Sequence, residues 1–176
     1  DRRQMAGIQR WWLKRMIETG RPLEEKMTLF WHGHFATGYR TIEDSYHMLL
    51  QNRLFRRHAT GNFATLCAEV IRDPALLEYL DNDQNRRRSP NENLARELME
   101  AARALTGYTF EDDEFVFRRE QHDDGAKSIF GTSARLDGDG LLRLLLSRNA
   151  ASEFICWKLY RFFVDDSPAV QSRNPD

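Results

Sequence analysis

The chain has 176 residues, 41% of them hydrophobic and 30% charged, with a formal net charge of −1. This is an ordinary soluble balance in a chain long enough to bury one substantial core. A charge so near zero supplies no overall field for nucleic acid or an anionic membrane, and no apolar run reaches the about 18 residues that span a bilayer.

The 26 basic residues include only four lysines, so 22 are arginines. Arginine forks onto carboxylates, so a network of Arg–carboxylate pairs is expected. The groups Arg53/Arg56/Arg57 and Arg86 to Arg88 are short and balanced by acids, which fits a solvated or salt-bridged face better than a nucleic-acid footprint. No signal-peptide pattern opens the chain. Its start inside a helical pattern is what a fragment would give. Cys67 lies on an apolar stripe and Cys156 among aromatics, with no zinc-type spacing, so two buried thiols are expected.

Helical periodicity runs through most of the chain. Met5, Ile8, Trp12 and Met16 mark a first helix over about Arg3 to Thr19, ended by Gly20. Pro22 opens a second, with Met27, Phe30, Trp31, His34 and Phe35 on one stripe. A third is expected after Thr41, with Asp44 as its capping-box partner. Asn62 caps a fourth, and Asp73-Pro74 starts a short one that ends near Leu80. After the polar loop DNDQNRRRSP, the stretch Ser89-Pro90-Asn91-Glu92 restarts a helix that Gly107 stops. Between Thr109 and Gly131 the period changes, and FVF and KSIF on either side of HDDG predict one small hairpin. Two helices close the chain, at about Gly140 to Ser147 and Ala150 to Val164. The expected fold is one all-α domain over residues 1–176, of about eight helices with a small β-hairpin excursion near residues 109–131.

Three motifs carry chemistry. In FWHGHF, His32 and His34 are two residues apart, about 200° around an ideal helix, so they could share one ion only if Gly33 broke the helix. His34 joins the apolar stripe and His32 faces away. The loop from Asp81 to Glu92 has oxygen ligands at Asp81, Asp83, Asn85, Ser89 and Glu92, the spacing of a helix–loop–helix Ca²⁺ site. Against that, Arg86 stands where such a loop needs glycine, three arginines oppose a dication, and Glu92 already serves a capping box. A loop capped by its own Asx side chains is the alternative. Third, Asn91, Glu92, Asn93, Arg96 and Glu97 crowd one helix start, and His122-Asp123-Asp124-Gly125 with Lys127 sets acid, base and cation together. The alternative for the latter is a polar hairpin turn. No G-x-S-x-G elbow, Walker loop, HExxH or GxGxxG occurs.

The stretches RWWLKRM, PLEEKMTLFWHGHFAT, LLQNRLFRRHATGNF, RDPALLEYLDNDQN, PNENLARELME, ARALTGY, HDDGAKSIFG and FICWKLYRFFV occur in this order. Together they resemble a bacterial family catalogued as domain of unknown function 1800. The resemblance covers most of the chain. It implies an exported protein, periplasmic or at the cell surface, often found beside a second family that resembles sulfatases. It implies no catalytic role for any residue. The family pattern is longer between ARELME and ARALTG, so a segment missing between Glu100 and Ala101 is expected, as is an absent N-terminal portion.

The family's characteristic polar positions fall on His32, His34, Asp81, Asn82, Asn91, Glu92, Asn93, Arg96, Glu97, Arg103, His122, Asp123 and Lys127. The leading expectation is a polar pocket built from FWHGHF, NENLARE and HDDGAK that binds a metal or a small polar or anionic ligand, with hydrolysis as the activity it would support. His122, His34 and Glu97 are its catalytic candidates. His32, Asn91, Asn93, Arg96, Arg103, Asp123 and Lys127 are its binding candidates. Asp81, Asp83, Asn85 and Glu92 would hold Ca²⁺ or another divalent metal. The rival is a non-catalytic helical scaffold that docks a sulfatase-like partner, its polar motifs forming buried networks.

Overall fold

A computed structural model describes residues 1–90 and 99–167. Its helices, in chain order, are α1 (Arg2–Glu18), α2 (Pro22–Phe35), α3 (Tyr39–Ile42), α4 (Ser45–Arg57), α5 (Phe63–Val70), α6 (Pro74–Tyr79), α7 (Met99–Ala104), α8 (Gly138–Leu146) and α9 (Asn149–Phe163). Between α7 and α8 lie two antiparallel hairpins, β1 (Tyr108–Glu111) with β2 (Glu114–Phe117) and β3 (Lys127–Ile129) with β4 (Thr132–Ala134). The fold is mainly helical with a small β excursion, as the periodicity predicts.

The caps explain several boundaries. Pro22 and Pro74 sit in first turns, where their missing N–H costs nothing. Asp73 accepts from the backbone N–H of Leu76 at 3.1 Å, and Asn62 accepts from that of Thr65 at 3.1 Å. The region after Thr41 differs from expectation. Thr41 belongs to the short α3, and Asp44 is itself the N-cap of α4, accepting from Tyr46 at 2.7 Å and His47 at 3.0 Å.

The β region differs too. FVF and KSIF do not pair with each other. Phe115 to Phe117 pair with Tyr108 to Phe110, and Lys127 to Ile129 pair with Thr132 to Ala134. Each hairpin turns on two residues at positive φ, Asp112 (48°) with Asp113 (65°), and Phe130 (51°) with Gly131 (76°). That backbone matches the twist of a two-residue hairpin loop. HDDG therefore links two hairpins instead of capping one. Cys156 is exposed on α9, against expectation, while Cys67 is buried.

One core forms where α2 packs on α4, with Phe30, Trp31, Phe55, Leu66, Val70 and Ile155. A second joins α7, α8 and the hairpins through Leu77, Ala104, Tyr108, Ile129 and Leu141. The first core has a charged seam. Glu25 is 2% exposed, and its carboxylate accepts from Arg56 at 2.8 and 2.9 Å, from the Trp12 indole at 3.0 Å, and from Arg15. This one carboxylate ties α1, α2 and α4. Burial alone would raise its pKa, but the two guanidiniums outweigh burial and hold it below the ordinary value.

Removing that carboxylate leaves Arg56 without its partner in a partly buried place. Glu25→Ala is expected to cost about 3 kcal/mol and to lower Tm by on the order of 10 °C in a thermal melt. A loss below about 0.5 kcal/mol, the range of ordinary surface substitutions, would show that the seam is dispensable.

Candidate functional site

The site begins at a corner after α7. Gly107 has φ +81, and a Cβ there would sit 2.5 Å from the carbonyl oxygen of Arg118. Only glycine allows this approach. The Gly107 N–H donates to the Asn85 carbonyl at 3.0 Å, and its own carbonyl accepts from Arg118 N–H at 2.8 Å. The chain from Arg118 to Asp123 is thereby laid beside Thr106, which is fully buried.

Thr106 uses both its hydroxyl and its carbonyl there. Its hydroxyl donates to the Arg103 carbonyl at 2.8 Å and accepts from the Asp123 N–H at 2.8 Å. Its carbonyl lies 2.9 Å from Nδ1 of His122. A carbonyl can only accept, so Nδ1 of His122 carries a proton and, in the neutral ring, Nε2 carries the lone pair. The ring is 5% exposed, and Phe117 meets it edge-on at 5.3 Å.

The rest of HDDGAK is held by charge. Asp123 accepts from Arg103 at 2.7 Å, and Arg103 also forks onto Glu100 at 2.8 and 3.0 Å. Arg103 pulls the Asp123 carboxyl down to about 2. Asp123 also accepts from the Gly125 N–H at 2.8 Å, and a Cβ on Gly125 would come within 2.9 Å of both Arg103 and Asp123. Lys127 is fully buried, donating to the Asp123 carbonyl and, at 3.1 Å, to that of Gly125. Burial lowers its pKa.

Beside this network lies a cavity of about 280 Å³, lined by Phe117, His122 and Lys127 and by the start of α8. Arg119, Arg135 and Arg143 ring it, with Asp124 and Asp137 as the acids. Asp124 faces Arg119 at 3.4 Å, and Asp137 is occupied as the α8 N-cap, accepting from Gly140 N–H at 2.8 Å. Among the described residues, Arg135 and Arg143 have no ion-pair partner. The cavity is thus cationic at its rim, with an imidazole and an ammonium group at its wall.

The structure brings together His122, Asp123, Arg103 and Lys127 of the sequence-predicted set. Asn91, Glu92, Asn93, Arg96 and Glu97 lie outside the described residues. His34 belongs to a different cavity, against Lys158 of α9 at 3.2 Å. His32 packs edge-on against Trp12 at 5.8 Å and against Phe55 at 6.2 Å, with Nδ1 buried and without a hydrogen-bond partner among the described residues. In the loop, Asn85 is 1% exposed, and its amide nitrogen donates to Asn82 at 2.8 Å and to the Ala102 carbonyl at 3.0 Å. Asn82 in turn donates to the Tyr108 carbonyl at 2.9 Å. Asp81 is exposed and Asp83 partly so. Sequence reasoning missed Thr106, Glu100, Arg135 and Arg143. No motif flags them, because their roles arise only when α7, the second hairpin and α8 meet.

The family model described as "Protein of unknown function (DUF1800)" matches residues 1–174. The chain belongs to this family. No curated protein and no solved structure matches it. Among its described residues, no helix is long and apolar enough to cross a membrane.

This DUF1800 chain holds one more titratable cluster. His47 is 3% exposed, with Nδ1 3.0 Å from Glu78 and Nε2 2.8 Å from Asp113; the Asp44 carboxylate is 4.0 Å from Nδ1. Carboxylates only accept, so both nitrogens donate and the ring is an imidazolium. Burial pushes its pKa down, but Glu78, Asp113 and Asp44 outweigh burial and raise it above 6.5. The ligand atoms of Asp44, His47 and Asp113 also lie within 4.8 Å of one another.

A raised folded pKa makes this clamp fully stabilising below the unfolded value of about 6.5 and weaker as pH rises through the folded value. The unfolding free-energy difference between wild type and His47→Phe is therefore expected to be larger at about pH 6 than at pH 9. A difference independent of pH, read from denaturant melts, would mean that the ring is not charged.

Proposed function

We propose that this chain binds a small oxyanion in the cavity beside His122, and that His122 acts there as a general acid–base. The observation that carries the reading is the pairing of a tautomer fixed by the Thr106 carbonyl with a rim of three arginines. Planar guanidiniums suit phosphate- or sulfate-type oxygens, which they can grip in forks. With an ester of such an anion, the Nε2 lone pair would take a proton from water as its oxygen bonds to the phosphorus or sulfur, and the imidazolium so formed would return that proton to the ester oxygen whose bond breaks. Asn85 is buried, turned inward by its amide nitrogen's bonds to Asn82 and Ala102, while Asp81 is exposed, which favours an anion at His122 over calcium in the preceding loop. The resemblance adds a bacterial, exported setting to this reading.

A second reading, a scaffold for a sulfatase-like partner, draws support from a different feature. Trp11, Leu13, Ile17 and Leu23 are large apolar side chains exposed on α1 and α2, and Arg103, Glu100 and Asp123 satisfy one another. The open cavity beside this network is what favours ligand binding over pure scaffolding.

Calorimetric titration with phosphate and with sulfate separates the two. Saturable binding that weakens with added salt, and weakens about tenfold or more in the Arg135→Ala/Arg143→Ala double variant, is expected if two charge-assisted contacts are lost. His122→Gln would then keep most of the binding while reducing turnover of an aryl ester about 100-fold or more. Absence of saturable binding of either anion would overturn the reading.

A further inference from the structure

A second cavity, of about 270 Å³, lies between α2 and α9 and shares no lining residue with the His122 cavity. Leu29, Phe30 and Phe162 make its apolar wall, and His34, Lys158, Arg161 and Asp166 its polar side. Phe30 and Phe162 meet edge to face, their ring centroids 5.4 Å apart. Gly33 also lines it, and a Cβ added there would meet nothing within 4 Å. Glycine inside a helix destabilises it. No positive φ requires this one, and the position is exposed at the cavity mouth.

The polar end has an uncompensated charge. Nζ of Lys158 lies 3.2 Å from Nδ1 of His34. An ammonium group only donates, so Nδ1 accepts and His34 is a neutral ring with its proton on Nε2. Burial first, and Lys158 second, push the His34 pKa down to about 4, in line with that geometry. Among the described residues Lys158 has no carboxylate within ion-pair distance, whereas the neighbouring Arg161 is paired with Asp166 at 2.7 Å. Both members of that pair also line the cavity, so among the described residues Lys158, whose Nζ lies 5.0 Å over the Phe154 ring, is the lining cation that no carboxylate neutralises.

We propose that this slot binds a small aryl carboxylate, its carboxylate on Lys158 and its ring against Phe30 and Phe162. Charge complementarity fixes the anionic end, since one ammonium group matches one carboxylate. The aromatic wall fixes the body, since rings stack edge-on or offset against other rings. The volume lies at the small end for ligand pockets, which fits a single ring and not a nucleotide or a long acyl chain.

Benzoate tests this, with acetate and benzyl alcohol as probes that keep only the charge or only the ring. Chemical-shift titration of the intact chain would follow His34 and the neighbouring α2 amides. Benzoate is expected to shift them saturably, and acetate and benzyl alcohol each to bind about tenfold more weakly or worse. Lys158→Met should weaken benzoate by a similar factor, and Gly33→Phe, which fills the slot, should abolish the shifts while the circular dichroism stays native. Equal responses to all three probes, no saturable shift with benzoate, or unchanged benzoate affinity in Lys158→Met would each overturn the assignment.

Discussion

The corner at Thr106-Gly107 is the constraint on which the β region and its cavity depend. Gly107 lets the backbone of Arg118 come closer than any side chain would allow. Thr106 then has three groups to satisfy in a site without water access, and it spends them on Arg103, Asp123 and His122. A buried hydroxyl or carbonyl left unpaired is costly, so these bonds fix both the position of HDDG and the orientation of the imidazole. The orientation of His122 is thus set, among the described residues, by the backbone carbonyl and hydroxyl of Thr106.

The helical part supplies the platform for this corner. Asn82 and Asn85, both fully or almost fully buried, bind the carbonyls of Ala102 and Tyr108 and so tie the loop after α6 to both sides of the turn. At the hairpin tip, Asp113 is held by His47, which is itself anchored by Glu78 of α6. The first hairpin is therefore pinned at its tip by charge and at its base by Phe117 against His122. Charge also organises the helices, through Glu25 between α1, α2 and α4.

Much of the fold could be read from the sequence, because helix periodicity and capping are local. Pro22, Asn62 and Asp73-Pro74 mark helix starts at which the structure has them. The expectation of Arg–carboxylate pairing is met at Arg56, Arg72 and Arg103. The hairpin pairing was not legible, because its turns use Asp112-Asp113 and Phe130-Gly131. Asp-Asp carries a weaker signal than Asn-Gly, and the eye is drawn instead to the glycine in HDDG. The separation of His34 from His122 was equally hidden, since sequence spacing says nothing about which helix a face meets. His122, Asp123 and Lys127 stood out by residue type alone, while Thr106 and Arg143 needed three-dimensional neighbours to acquire a role.

The central claim is that the Thr106 carbonyl fixes the His122 tautomer and leaves Nε2 as the basic nitrogen. Long-range proton–nitrogen correlation spectra of the imidazole, recorded at a pH where the ring is neutral, test this most directly. The account predicts the Nδ1–H form, the minority tautomer of free histidine, with the Nε2 resonance in the unprotonated range. A ring protonated at Nε2 would contradict it, because the bond to Thr106 would then be absent and the acid–base role of His122 would lose its structural basis.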